Sequence, residues 1–179
     1  MLNIRKDNLK KIAVFAIYGL VAGALPYAIA NAVAEEPVQV VEQVPVDPLE
    51  KYKGATKLSD TDLVGLLSAV GFEGTALKVA YAVAKKESNG RPLAHNGDQT
   101  TGDNSYGIFQ INMIADLGDA RRDKFNLKSN TQLFDPVINA KVVFFMTRGG
   151  EDWSSWKIVP GQNNGKRYQQ YLKEFAGLH

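Results

Sequence analysis

Cysteine is absent from the 179-residue sequence, which excludes disulfide bonds and any thiolate-ligated zinc or iron–sulfur site. Histidine occurs twice, at His95 and His179, too few for a multi-histidine metal site and a poor basis for a catalytic triad. Charge of one sign is also not in excess: 21 Lys and Arg stand against 19 Asp and Glu. Four of those bases (Arg5, Lys6, Lys10, Lys11) and one acid (Asp7) fall in the first 34 positions, so the remainder carries a net charge of −1. A body this close to neutral has no broad attraction for nucleic acid, and none is expected as a partner. Apolar residues are not scarce. At 45% hydrophobic, with glycine following no three-residue period, the chain as a whole is neither disordered nor collagen-like. Its chemistry has to rest on carboxylates, amides and hydroxyls, with no metal and no cofactor expected.

What is present begins with an uncharged run from Ile12 to Ala34, preceded by bases and followed by Glu35-Glu36-Pro37. Basic, apolar and small-residue zones in that order form the pattern of an export signal, and Ala32 and Ala34 have the spacing of a cleavage site. The run is also long enough to span a bilayer, about 20 apolar residues being sufficient. Residues 1–34 are therefore expected to be a signal peptide or a retained signal-anchor, with residues 12–34 in the membrane if uncleaved. The preceding bases keep the N-terminus cytoplasmic and send the body into the cell envelope. Residues 35–57 contain three prolines and no helical period. They read as a semi-stiff tether, or alternatively as a strand supplied by the valines.

Residues 58–179 leave about 120 positions, room for one modest core. Asp60 is a candidate cap for a helix over Thr61–Val70, which places Leu63, Leu66, Leu67 and Val70 on one face. Thr75 is a candidate cap for a helix to Glu87 or Ser88, with Gly90 as its stop signal. Asp135-Pro136 reads as a cap followed by proline at the first helical position, in a helix ending near Thr147 before Gly149-Gly150. Tyr168, Tyr171, Leu172 and Phe175 predict a last helix over 166–175, and Met113–Asp119 a short one. Between Leu93 and Asn112 the pattern changes to Asn, Gly, Asp and Thr turns and then a short apolar alternation, which predicts a small hairpin lobe. The expected class is mostly α, as an α+β fold with one small β excursion.

Glu87 stands out on this plan. Ala80, Val83 and Ala84 precede it by seven, four and three positions, which puts its carboxylate at the end of an apolar stripe. Lost hydration there raises a carboxyl pKa, as does the negative end of the helix, and a general acid requires this. Lys85, Lys86 and Arg91 act the other way if they pair with it, and an ordinary salt-bridged helix-end glutamate is the alternative. Glu87-Ser88 is followed by a polar loop and then by Asn104-Ser105-Tyr106-Gly107-Ile108-Phe109-Gln110-Ile111-Asn112. Further on come Asp135-Pro136-Val137-Ile138-Asn139-Ala140 and Trp153-Ser154-Ser155-Trp156. In this order and spacing the set resembles the lysozyme-like lytic transglycosylase superfamily, which includes the goose-type lysozymes. Ile108 stands where the family usually has leucine.

That resemblance implies a lysozyme-like domain acting on peptidoglycan glycan strands, with Glu87 as the catalytic acid and base. Ser88, Gln110 and Asn139 offer amide and hydroxyl groups suited to sugar substituents, and Ser105 belongs to the matching motif. Tyr106 and Tyr168 are expected in the cleft, and Trp153 and Trp156 mainly in the core. The implied reaction splits the β-1,4 bond between N-acetylmuramic acid and N-acetylglucosamine and closes a 1,6-anhydro ring. A hydrolytic muramidase is the alternative, with Asp98 or Asp103 as a second carboxylate, although each also reads as a solvated turn residue. A non-catalytic, membrane-tethered glycan-binding module is a third reading. A secretion or conjugation machine, or a phage particle that opens the wall, would suit any of these as a setting.

Overall fold

The computed structural model describes residues 46–159, 162 and 164–178. The signal or anchor reading of 1–34 and the first part of the proposed tether, 35–45, lie outside them. Among the described residues no helix is long and apolar enough to cross a membrane. Within 35–57, Leu49 and Tyr52 are buried in the hydrophobic core, and Glu50–Tyr52 forms a 3-10 turn.

Among the described residues five α-helices carry the fold. Helix α1 spans Asp60–Val70 and buries Leu63, Leu66 and Leu67. Its cap is Ser59 rather than Asp60. The Ser59 hydroxyl accepts from Asp62 N at 3.0 Å and the Asp62 carboxylate accepts from Ser59 N at 3.2 Å, a reciprocal capping box. Asp60 is thereby left to bind Lys85 at 2.7 Å.

Helix α2, Gly74–Ser88, begins one residue before Thr75, and Glu73 precedes it without a side-chain cap. Every residue from Ala80 to Lys85 is buried. Four of those six are Ala or Val, slender enough for neighbouring helices to enclose the rod on all sides. It ends at Asn89, whose left-handed φ of 58° precedes the Gly90 anticipated as the stop. Gly90 N then reaches back to Ala84 O at 3.2 Å, which closes the turn.

The β excursion is a three-stranded antiparallel sheet in chain order: β1 His95–Asn96, β2 Ser105–Tyr106 and β3 Ile111–Asn112. Tyr106 pairs with His95 on one side and Ile111 on the other. Helix α3, Ala115–Phe125, is longer and starts later than the Met113–Asp119 segment expected. Gly118 lets it begin there, because a Cβ at that position would collide with Met113 O. Helix α4, Pro136–Met146, follows its Asp135 cap as anticipated, with Asp135 Oδ1 accepting from Val137 N at 2.8 Å and Ile138 N at 3.1 Å. Helix α5, Lys166–Phe175, coincides with the predicted last helix and lies along α2.

The core joins Leu63, Leu66, Phe72, Tyr81, Ile108, Phe109, Leu133 and Val143, with Trp153 tilted against Phe109 and Trp156 edge-on to it. Mostly helix, with one small antiparallel sheet, is the lysozyme-like α+β arrangement.

Candidate active site

The stripe on α2 brings Glu87 to the last turn of a buried rod, where the helix leaves the core. Its side chain is 24% exposed, and Oε1 accepts from Lys86 Nζ at 2.8 Å. Of the three bases able to pair with it, only Lys86 does. Lys85 turns to Asp60, and Arg91 donates from Nε to Ser88 O at 2.9 Å. Glu87 lines a cleft of about 290 Å³ whose walls include Gln110, Asn112, Arg121, Trp156 and Lys157. Among the described lining residues it is the only carboxylate.

Gln110 is held with a left-handed φ of 49°. Its Nε2 donates to Ala94 O at 3.0 Å and Gly107 O at 2.9 Å. Among the described residues its amide oxygen has no partner, which leaves an acceptor on the cleft wall for a sugar hydroxyl or N–H. Trp156 is mainly structural, as anticipated: it is buried, its indole N–H donates to Phe109 O at 2.8 Å, and it is also one of the residues lining the cleft.

The remaining predicted site residues lie elsewhere. Ser88 is buried, and its hydroxyl donates to Ile108 O at 2.7 Å and accepts from Arg91 N at 3.2 Å. It ties α2 to the motif loop instead of facing a ligand. Ser105 is buried and donates to Asp103. Asn139 is fully buried; its Nδ2 donates to Tyr106 O and Leu133 O, and its Oδ1 accepts from Phe109 N. Buried in this way, the amide fastens the loop to the helix and presents no exposed group to a sugar. Tyr106 packs at tilted ring angles against His95 and Phe134 and is not among the residues lining the cleft. Tyr168 is buried on a separate, mainly apolar cavity with Trp153 and Leu172, and burial raises its hydroxyl pKa.

Asp98 and Asp103 do not line the cleft. Asp98 is exposed, and the Thr100 hydroxyl at 2.5 Å holds its carboxyl below the usual aspartate value. Asp103 accepts from Asn96 Nδ2 at 2.6 Å and from the Ser105 hydroxyl. Both brace the turn between β1 and β2. Among the described residues no cluster of three His, Asp or Glu is placed to hold a metal.

Sequence reasoning missed Arg121, Asn112, Ser155, Lys157 and Met146 as cleft residues. Arg121 lies on α3, whose only buried residue is Gly118, so no apolar period marks the face that turns inward. Asn112 stood within the quoted motif and could have been flagged. Lys157 follows the second tryptophan at a left-handed φ of 55°, a position that only the folded turn reveals.

None of the curated proteins and none of the solved structures compared with this chain matches it. The model of one family, described as a lysozyme-like domain, matches residues 65–158. That range is more than half of the chain and contains every residue on the cleft wall, Glu87 included. The chain belongs to the lysozyme-like domain family.

Proposed function

We propose that the protein is a peptidoglycan lytic transglycosylase that splits the β-1,4 bond between N-acetylmuramic acid and N-acetylglucosamine with Glu87 alone. Membership of the lysozyme-like family points to glycan cleavage on peptidoglycan in general. The finer reading rests on one observation: a single carboxylate among the described residues of the cleft that holds Glu87. In the first stage the Glu87 carboxyl gives its proton to the glycosidic oxygen as the bond from that oxygen to muramyl C1 breaks. Glu87 then takes the proton of the muramyl C6 hydroxyl while that oxygen attacks C1 and closes the 1,6-anhydro ring. One group performs both steps because they are successive, and no water is consumed. The positive charge that develops at C1 is met by the substrate's own acetamide and by dipoles of the cleft, Gln110 among them.

A hydrolytic muramidase needs a second carboxylate near the sugar, and Asp98 and Asp103 bond within their own turn and are not among the residues lining the cleft. In the same proposal residues 1–34 export or anchor the domain, residues 35–57 lead to it, and it works on glycan strands in the cell envelope.

Glu87→Gln is the test, read by zymogram clearing and by mass spectrometry of released muropeptides. A loss of at least about a hundredfold is expected, the low end of what a positioned acid contributes. Thermal unfolding of the variant should match that of the parent. Clearing that survives the substitution removes Glu87 from the mechanism. Products carrying a full added water, instead of being one water lighter, assign the hydrolytic reaction. Sacculus binding without turnover in the parent protein assigns the glycan-binding module.

A further inference from the structure

The cleft beside Glu87 carries more positive charge than that one carboxylate balances. Lys86, Arg121 and Lys157 all line it. Lys86 is matched by Glu87 at 2.8 Å. Among the described residues neither Arg121 nor Lys157 makes an ion pair. Arg121 donates one amino group to Asn112 O, a neutral acceptor that leaves most of its five-donor fork unused. The guanidinium is half-buried, and burial lowers its pKa from the ordinary arginine value. A cation kept partly dry without a counter-charge gains more from an arriving anion than a solvated one does. Lys157 is placed by a firm support: its N–H bonds Ser154 O at 2.9 Å, and the preceding Trp156 is pinned to Phe109 O at 2.8 Å. Since residues 35–179 carry a net charge of only −1, these cations are a local concentration and not a sample of a basic surface.

We propose that Arg121 and Lys157 form an anion subsite beside Glu87 that takes a carboxylate carried by the glycan strand. The inference rests on the reading of this cleft as a peptidoglycan-cleaving site and adds what the site selects. N-acetylglucosamine carries no charge. The anionic groups of peptidoglycan are the lactyl carboxylate of a muramoyl residue stripped of its peptide, and the carboxylates of the stem peptide. Both have the planar acceptor pair that a guanidinium fork fits. The subsite therefore prefers carboxylate-bearing strands to neutral polymers of N-acetylglucosamine.

The test measures kcat and KM of the full chain on peptide-bearing strands, on strands denuded by an amidase, and on neutral N-acetylglucosamine oligomers. Arg121→Gln should raise KM on charged strands about tenfold, and the more exposed Lys157→Gln about threefold, with kcat nearly unchanged. Arg121→Lys, which keeps the charge, should recover part of the loss. Parent KM on charged strands should rise with salt. Lys173→Gln makes the same charge change on α5, away from the cleft, and should keep the parent KM. A penalty confined to denuded strands identifies the lactyl carboxylate as the ligand, and one confined to peptide-bearing strands identifies the stem peptide. Unchanged KM on both charged substrates, or an equal penalty on neutral oligomers, overturns the subsite. Failure of the enzymatic reading appears separately, as a parent protein that cleaves nothing or a Glu87→Gln variant that still cleaves. In that event sedimentation of denuded strands with the Glu87→Gln full chain decides the subsite. Salt-sensitive binding that Arg121→Gln weakens supports it, and binding indifferent to both overturns it.

Discussion

Buried amides have to direct their hydrogen bonds somewhere, and Asn139 directs all of its own to backbone. It fastens α4 to Tyr106 O, Leu133 O and Phe109 N at 2.9 to 3.1 Å. Gly107 makes this approach available, because a Cβ there would collide with both the Asn139 amide and Leu133 O. The motif loop that ends in Gln110 is thus held from behind by α4 and, through the Ser88 hydroxyl on Ile108 O, by α2. The sequence marks these residues as special without saying for what. A polar side chain at an apolar position signals a partner, and the partner can be a sugar or the chain itself. Asn139→Ala should cost about 3 kcal/mol in denaturant unfolding, since three buried backbone groups lose their partner. A cost under about 1 kcal/mol, within the range of ordinary surface changes, would show that the loop does not depend on this amide.

Helix boundaries were legible to different degrees: the cap of α4 was plain, that of α1 lies one residue before the one expected, and α5, which has no side-chain cap, is marked by its apolar spacing. Asp135-Pro136 announces α4, and its carboxylate also accepts from Gly54 N at 2.9 Å, a bond across 81 positions that no local pattern contains. Asp135→Ala should therefore cost more than an average cap, about 2 kcal/mol by thermal or chemical unfolding, while Asp135→Asn should retain most of the stability. Equal losses in the two variants would make the carboxylate charge, and not the cap, the important property. Helix α2 has no side-chain cap at its start, so its first residue was misplaced at sequence level although its apolar run was plain. Helix α3 shows the reverse difficulty. Its surface is polar on nearly every side, so neither its length nor the inward turn of Arg121 follows from a period.

At the scale of the whole molecule, the hydrophobic core takes in residues of the segment that composition assigns to a tether. Leu49 and Tyr52 are 7% and 4% exposed, and Tyr52 lies against Gly65 of α1, where any side chain would collide with its hydroxyl. Tyr52→Ala in the full chain should lower unfolding stability by about 3 kcal/mol, as for other large aromatic deletions. Unchanged stability would mean that this turn merely rests on the core. Prolines and scattered valines disguise such a segment, because its burial depends on a surface made by residues more than ten positions away. The sequence by itself determined the helical class, the capped starts of α4 and the extent of α5, and the place of Glu87 at the end of an apolar stripe. These depend on periodicity and local hydrogen bonds, which neighbours along the chain settle between them. Tertiary structure alone decided that Ser88, Ser105 and Asn139 face the backbone, that Tyr168 belongs to another cavity, and that Arg121 and Lys157 join Glu87 in one cleft. Those outcomes turn on which distant groups compete for each donor and acceptor, and that competition exists only once the chain has folded.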